Sequence, residues 1–166
     1  HHIGPLSAPI IIVEYGDFEC PHCAAAAVVF DELIEEFQER LCFIFRHFPQ
    51  TSLYPHAGIA AVAAEAADLQ GMFWEMHHAL FNHQYDLSSE GILTCAREAG
   101  IDLRKLLNDW EKESVLDRVH RDIDSANKNE ISGTPTIYIN GILFDGLPSY
   151  KEIRNEIELI LRDDQA

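Results

Sequence analysis

The chain has 166 residues, 47% of them hydrophobic, and a formal charge of -16 from 12 Lys and Arg against 28 Asp and Glu. That length and composition suit one domain, residues 1–166, able to fill its own core. The acidic excess argues against nucleic acid and anionic lipid as partners, and no apolar run reaches the roughly 18 to 20 residues of a membrane span.

"PIIIVEY" (9–15) is a β-branched apolar run ending at Gly16, and it predicts a strand covered on both faces. Phe30, Leu33, Ile34 and Phe37 then recur at helical spacing, with Asp31, Glu32, Glu35 and Glu36 between them, which predicts an amphipathic helix. "LCFIFRHF" (41–48) is a second buried strand stopped by Pro49. A strand, helix, strand opening usually joins parallel strands.

From about 50 to 130 the pattern turns helical. "HAGIAAVAAEAADLQG" is alanine-rich, "MFWEMHHALFNHQ" sets Phe73, Met76, Leu80 and Phe81 on one side, and Asp102 is placed to cap "IDLRKLLNDWEKE". Val115 or Leu116, Val119, Ile123 and Ala126 continue the periodicity. Strands return at "TPTIYINGILFDG" (134–146), where Asn140-Gly141 marks a tight hairpin turn. Ser149 and Glu152 form a capping box ahead of a closing helix with Tyr150, Ile153, Ile157 and Ile160 on its apolar face. The fold class is α/β: βαβ, an all-helical insertion, then ββα.

The chemistry concentrates in "GDFECPHC" (16–23). A thiol attacks a disulfide as its thiolate, so a reactive cysteine needs a lowered pKa. Cys20 precedes a helix that starts near Pro21, where free backbone N–H groups and the helix dipole favour an anion. His22 can add a hydrogen bond, whereas Asp17 and Glu19 oppose the thiolate unless they turn to solvent. These positions predict Cys20 as the exposed nucleophile and Cys23, one turn inward, as the resolving thiol. Glu14, acidic within an apolar strand, is either a buried proton shuttle for Cys23 or a solvated edge residue.

"CPHC" after a strand, "GTPT" (133–136) opening a hairpin, the helical insert, "FRHFP" (45–49) and "PHA" (55–57) together resemble the DsbA-like branch of the thioredoxin superfamily, over about residues 8–161. The resemblance implies a thioredoxin fold with a central mixed sheet, and protein disulfide oxidoreductase activity on protein or peptide thiols and disulfides, with an unidentified redox partner. It implies that Cys20 and Cys23 form the redox-active disulfide, which takes the place of any other cofactor. His22 would tune its oxidising power, Glu14 would be the buried strand acid, Pro135 a cis-proline facing the disulfide, and Thr134 the residue whose backbone pairs with substrate. Two rivals are a glutathione-dependent transferase or isomerase of the same fold and a non-catalytic peptide-binding module.

No second Cys-x-x-Cys or His-x-x-x-His completes a zinc site with Cys20 and Cys23, so no metal is expected. Cys42 and Cys95 are expected to be buried, inert thiols. His47 and His56 are expected to be satisfied structural residues, His77 partly buried, and His78 and His83 exposed. Trp74 and Trp110 are expected in the core or a groove wall. The opening "HHIGPLSAPIIIVEYG" has no leader pattern, which points to the cytoplasm, with a mature periplasmic or other extracytoplasmic form as the alternative.

Overall fold

The structure is a computed structural model that describes residues 1–163. Among the described residues a two-residue strand, β1 (His2–Ile3), precedes β2 (Ile10–Gly16), and α1 (Pro21–Phe37) with a short 3-10 turn (Gln38–Arg40) leads to β3 (Leu41–His47). Five helices follow: α2 (Ala57–Asp68), α3 (Phe73–Asn82), α4 (Ser89–Glu98), α5 (Leu103–Asp109) and α6 (Glu113–Lys128). The chain closes with β4 (Thr136–Ile139), β5 (Ile142–Leu143) and α7 (Tyr150–Asp163).

The strands form one mixed sheet in the order β1-β3-β2-β4-β5. β2 and β3 run parallel in unbroken register from Ile10–Leu41 to Gly16–His47, as the crossover through α1 requires, and the other pairs are antiparallel. This is the thioredoxin fold expected from the sequence, with the helical block between β3 and β4. At the hairpin tip Asn140 and Gly141 both take positive φ, 49° and 81°. The Asn140 side chain also bridges to the central strand, accepting from Ile11 N–H at 2.7 Å and donating to the Pro9 carbonyl at 2.9 Å.

Period-two alternation explains how β2 is buried. Ile10, Ile12 and Glu14 are fully buried on one face, while Ile11 and Val13 are half-buried on the other. The first face meets α1, whose Cys23, Ala26, Ala27, Phe30, Leu33 and Phe37 are buried. A fully buried Phe or Leu contributes about 1.5–3 kcal/mol, so this stripe anchors α1 and with it the position of Cys20. On the second face Tyr15, Phe48, Ala126 and Ile131 form a smaller cluster under α6, where the Tyr15 hydroxyl meets Ser125 Oγ at 2.8 Å.

Three features differ from the sequence expectation. β1 has too few residues for any periodicity to register, and it forms because backbone groups of His1–Ile3 pair with the β3 edge. α4, capped by Ser88 accepting from Gly91 N–H, had no strong apolar signal in its polar stretch. In α6 the inward residues are Val115, Val119, Asp122 and Ala126, with Leu116 exposed and Ile123 only half-buried. Asp122 is fully buried because it accepts from Arg46 Nη1 at 3.0 Å, His47 N–H at 3.0 Å and Arg118 Nη1 at 2.7 Å. Pairing this complete offsets the cost of placing the carboxylate in the core.

Candidate active site

Cys20 is the N-cap of α1, with extended dihedrals of φ −80° and ψ 120°, and Pro21 occupies N1. Its carbonyl accepts the Cys23 and Ala24 N–H groups at 3.1 and 3.2 Å, so the first turn closes directly behind the sulfur. Gln84 Nε2 secures the approach from outside by donating to the Phe18 and Cys20 carbonyls at 2.8 and 2.9 Å. Gly16 ends β2 without a side chain because a Cβ there would overlap the Phe45 ring and lie 3.2 Å from Glu14 Oε1.

Cys20 and Cys23 are both free thiols. The Cys20 pKa is lowered to about 4, chiefly because the Cys23 thiol donates to its sulfur. Burial opposes the shift, and the Thr134 hydroxyl supports it. The N–H groups of Cys23 and His22 support it too, pointing toward the sulfur without closing a side-chain cap bond. Cys23 is driven the other way, far above the usual thiol range, first by burial and then by its bond to Cys20 and the nearby charge of Glu14. Its sulfur accepts the Asp17 N–H at 3.4 Å. Both shifts favour the thiolate on Cys20 and the proton on Cys23.

Across from α1 the Thr134–Pro135 peptide bond is cis, and the Thr134 carbonyl lies 3.4 Å from Cys20 Sγ. A cavity of about 410 Å³ opens beside it, lined by His22, Ala25, Thr134, Pro135, Leu147, Pro148 and Ser149. Glu14 is fully buried, which settles its place in the core, and neither carboxyl oxygen has a hydrogen-bond partner among the described residues. Burial, then the Cys20 charge, raises its pKa to about 8.

The structure thus brings Cys20, Cys23, Glu14, Thr134 and Pro135 together, and it revises several details. Cys20 is 2% exposed, not an open nucleophile, and the Tyr54 hydroxyl bonds to its sulfur. The His22 imidazole is exposed on the cavity wall, so its residue acts on Cys20 through the backbone N–H. Asp17 and Glu19 do not turn to solvent. Asp17 is buried, accepting from Gln50 N–H at 2.7 Å and Glu19 N–H at 2.8 Å, and burial raises its pKa to about 6. Glu19 accepts from His56 N–H at 2.6 Å and meets His56 Nδ1 at 2.9 Å. Both carboxylates fasten the active-site loop to the segment carrying Tyr54. The sequence signals for this were weak: an aromatic beside Pro55, and acids flanking a cysteine.

Other residues fall outside the site. His47 is satisfied by Glu65 at 2.9 Å, while His77 is fully buried among aromatic rings with neither nitrogen partnered among the described residues. His78 and His83 are half-buried and paired with Asp31 and Glu98, not free in solvent. Cys42 and Cys95 are buried, and burial raises both thiols, Cys95 to about 11. Trp74 and Trp110 pack against the main core.

A helix-capping cysteine, a second thiol one turn inward and a cis-proline opposite are the features of a thioredoxin-fold redox site. The thioredoxin family matches residues 1–159, and the chain belongs to it, in its DsbA-like branch. The chain is 26% identical to a thioredoxin-like oxidoreductase from Silicibacter pomeroyi, with a TM-score of 0.86 over 100% of this chain and 92% of that one. It is 27% identical to BdbD from Bacillus subtilis, with a TM-score of 0.85 over 97% and 92%. In sequence it is 43% identical over 148 residues to a Na(+)/H(+) antiporter NhaA 1 of Mycolicibacterium vanbaalenii, covering 88% of this chain and 24% of that protein. The chain spans about a quarter of the length of the curated relatives it matches.

Proposed function

We propose that the chain is a thiol–disulfide oxidoreductase that exchanges disulfides with protein or peptide thiols through Cys20 and Cys23. Their own disulfide serves as the redox group, with no metal or bound cofactor in the chemistry, and residues 1–166 act as one domain with the helical block as its insertion. The observation that carries this reading is geometric: the Cys20 sulfur sits at the N-cap of α1, with Cys23 one turn inward, and lies 3.4 Å from the Thr134 carbonyl at the cis Thr134–Pro135 bond.

In the oxidising direction a substrate thiolate attacks Cys20 Sγ, the Cys20–Cys23 bond breaks, and its electron pair leaves on Cys23. Cys23, whose thiol is strongly favoured, takes up a proton, and Glu14 is the buried acid coupled to it. A second substrate thiolate then attacks the substrate sulfur of the mixed disulfide and expels Cys20 as the stabilised thiolate. The substrate loses two electrons and the cysteine pair gains them. Thr134 offers backbone groups to an extended substrate chain, and the cavity beside Pro135 takes its side chains.

One observation favours the peptide-binding module as a second reading: Cys20 is 2% exposed, so attack needs the residues covering it to move. Insulin reduction and refolding of a scrambled disulfide protein separate the two. The oxidoreductase is active in both assays, Cys20→Ser abolishes them, and Cys23→Ser accumulates a mixed disulfide. A folded wild type inert in both assays supports the module. Turnover surviving Cys23→Ser supports the glutathione-dependent rival.

The transport named for the antiporter relatives is not part of this proposal, since among the described residues no helix is long and apolar enough to cross a membrane. The cytoplasmic expectation rested on the lack of a leader. A chain matching about a quarter of larger proteins carries no information on leaders, and the extracytoplasmic alternative better suits a disulfide donor.

A further inference from the structure

Away from the cysteines, three side chains from distant parts of the sequence converge on one point. His1 immediately precedes β1, His47 ends β3, and Glu65 lies in the third turn of α2. Glu65 Oε1 is 2.8 Å from His1 Nε2 and 2.9 Å from His47 Nε2, and one ligand atom from each residue lies within 4.8 Å of the others. The side chains are 11%, 1% and 3% exposed, in the order His1, His47, Glu65. The His1 ring is stacked on Phe73 at 3.5 Å with planes 10° apart, which fixes its orientation. Its far nitrogen, Nδ1, lies 3.4 Å from Asp68 Oδ1. A carboxylate near the remote nitrogen of a histidine favours a proton on that side and leaves Nε2 as the ligand atom, the arrangement that commonly supports metal-bound histidines.

We propose that His1, His47 and Glu65 form a binding site for a divalent transition-metal ion of the zinc class, with Asp68 as its supporting carboxylate. Two imidazole nitrogens and one carboxylate oxygen match that class, whereas calcium and magnesium require oxygen ligands throughout. The ion would sit where each Nε2 now meets Glu65, with each histidine binding as a neutral imidazole through Nε2. Arg118 is a fixed cation beside the site, its Nε 3.9 Å from Glu65 Oε1. Its guanidinium is committed more closely to Asp122, at 2.7 Å, which offsets its charge. No thiol takes part. The ion would tie β1 and α2 to the end of β3, behind the active-site loop whose Phe18 ring lies 5.8 Å from that of His47.

The test uses the full chain with Cys20 and Cys23 oxidised, so that those thiols cannot compete. Titration with Zn2+ is expected to show one saturable equivalent and a higher melting temperature than in chelator, and Co2+ a visible spectrum without thiolate charge transfer. Glu65→Gln and His47→Gln should each abolish saturable binding, and the half-exposed Asp68→Asn should weaken it about 10–100-fold. Binding unchanged by Glu65→Gln and His47→Gln overturns the proposal, leaving chelation elsewhere on the chain. Should either variant fail to fold, histidine ring NMR of the wild type decides. Joint shifts of His1 and His47 at one equivalent of Zn2+ support the site, and shifts confined to His1 and His2, or none, overturn it.

Discussion

The lowered Cys20 pKa fixes how the protein's redox potential should respond to pH. The thiol falls from 9.0 to about 4 in the folded, reduced protein. A depressed folded-state pKa stabilises that state fully above the unfolded value, and the benefit disappears as pH falls through the folded value. At about pH 7 some three of those five units are realised, worth about 4 kcal/mol at 1.36 kcal/mol per unit. The oxidised form gains nothing, so the couple becomes more oxidising by about 90 mV, taking 30 mV per 1.4 kcal/mol. Because Cys20 stays ionised, reduction takes up one proton, and the potential should fall by about 30 mV per pH unit between about pH 5 and 7, not the roughly 59 mV of an ordinary dithiol. Equilibration with glutathione buffers, read by alkylation gel shift, measures this slope, and thiolate ultraviolet absorbance of the reduced protein gives the pKa itself. A slope near 59 mV per unit, or a thiolate appearing only near pH 8 to 9, would refute the reasoning.

Alkylation near neutral pH should label Cys20 far faster than Cys42 or Cys95, whose thiols burial pushes up; equal rates by mass spectrometry would contradict the assignment. Replacing the Thr134 hydroxyl in Thr134→Val should raise the Cys20 pKa and slow disulfide exchange with a model dithiol, and an unchanged titration would remove that hydroxyl from the site. Burial raises Glu14 from 4.5 to about 8, so its contribution to stability is lost as pH rises between those values, by about 1.4 kcal/mol per unit. Denaturant melts of Glu14→Gln against wild type should show that difference growing with pH, and parallel curves would place the carboxyl in water. Asp122→Ala strands Arg46 and Arg118 beside a buried gap and should cost about 3–5 kcal/mol in denaturant unfolding; a loss under about 1 kcal/mol would mean the network is solvated.

Local rules carried the frame because they act between residues close in sequence. Alternation and helical spacing located β2, α1, β3 and α7, Asp102 does cap α5 by accepting from Arg104 and Lys105 N–H, and Asn140-Gly141 turns the hairpin. The Cys20, Pro21, Cys23 spacing placed the thiolate at a helix start by the same short-range logic. Features that depend on partners far along the chain escaped: β1 on the β3 edge, Asp122 meeting Arg46, and Asp17 meeting Gln50. A charge at an apolar position of α6 was the available signal for the second of these, but it does not name its partner.

The sequence by itself determined the order of elements and the place of Cys20 and Cys23 at the start of a helix, since helix capping and a two-residue gap are properties of one short segment. Only the tertiary structure decided how that pair is tuned and covered. The lowering of the Cys20 pKa depends on the Thr134 hydroxyl 114 residues away as well as on Cys23, and Tyr54, which bonds to its sulfur, lies in a segment whose Gln50 and His56 are bound by Asp17 and Glu19. Electrostatic shifts and burial depend on distances through space, and those distances exist only once the sheet has brought its loops together.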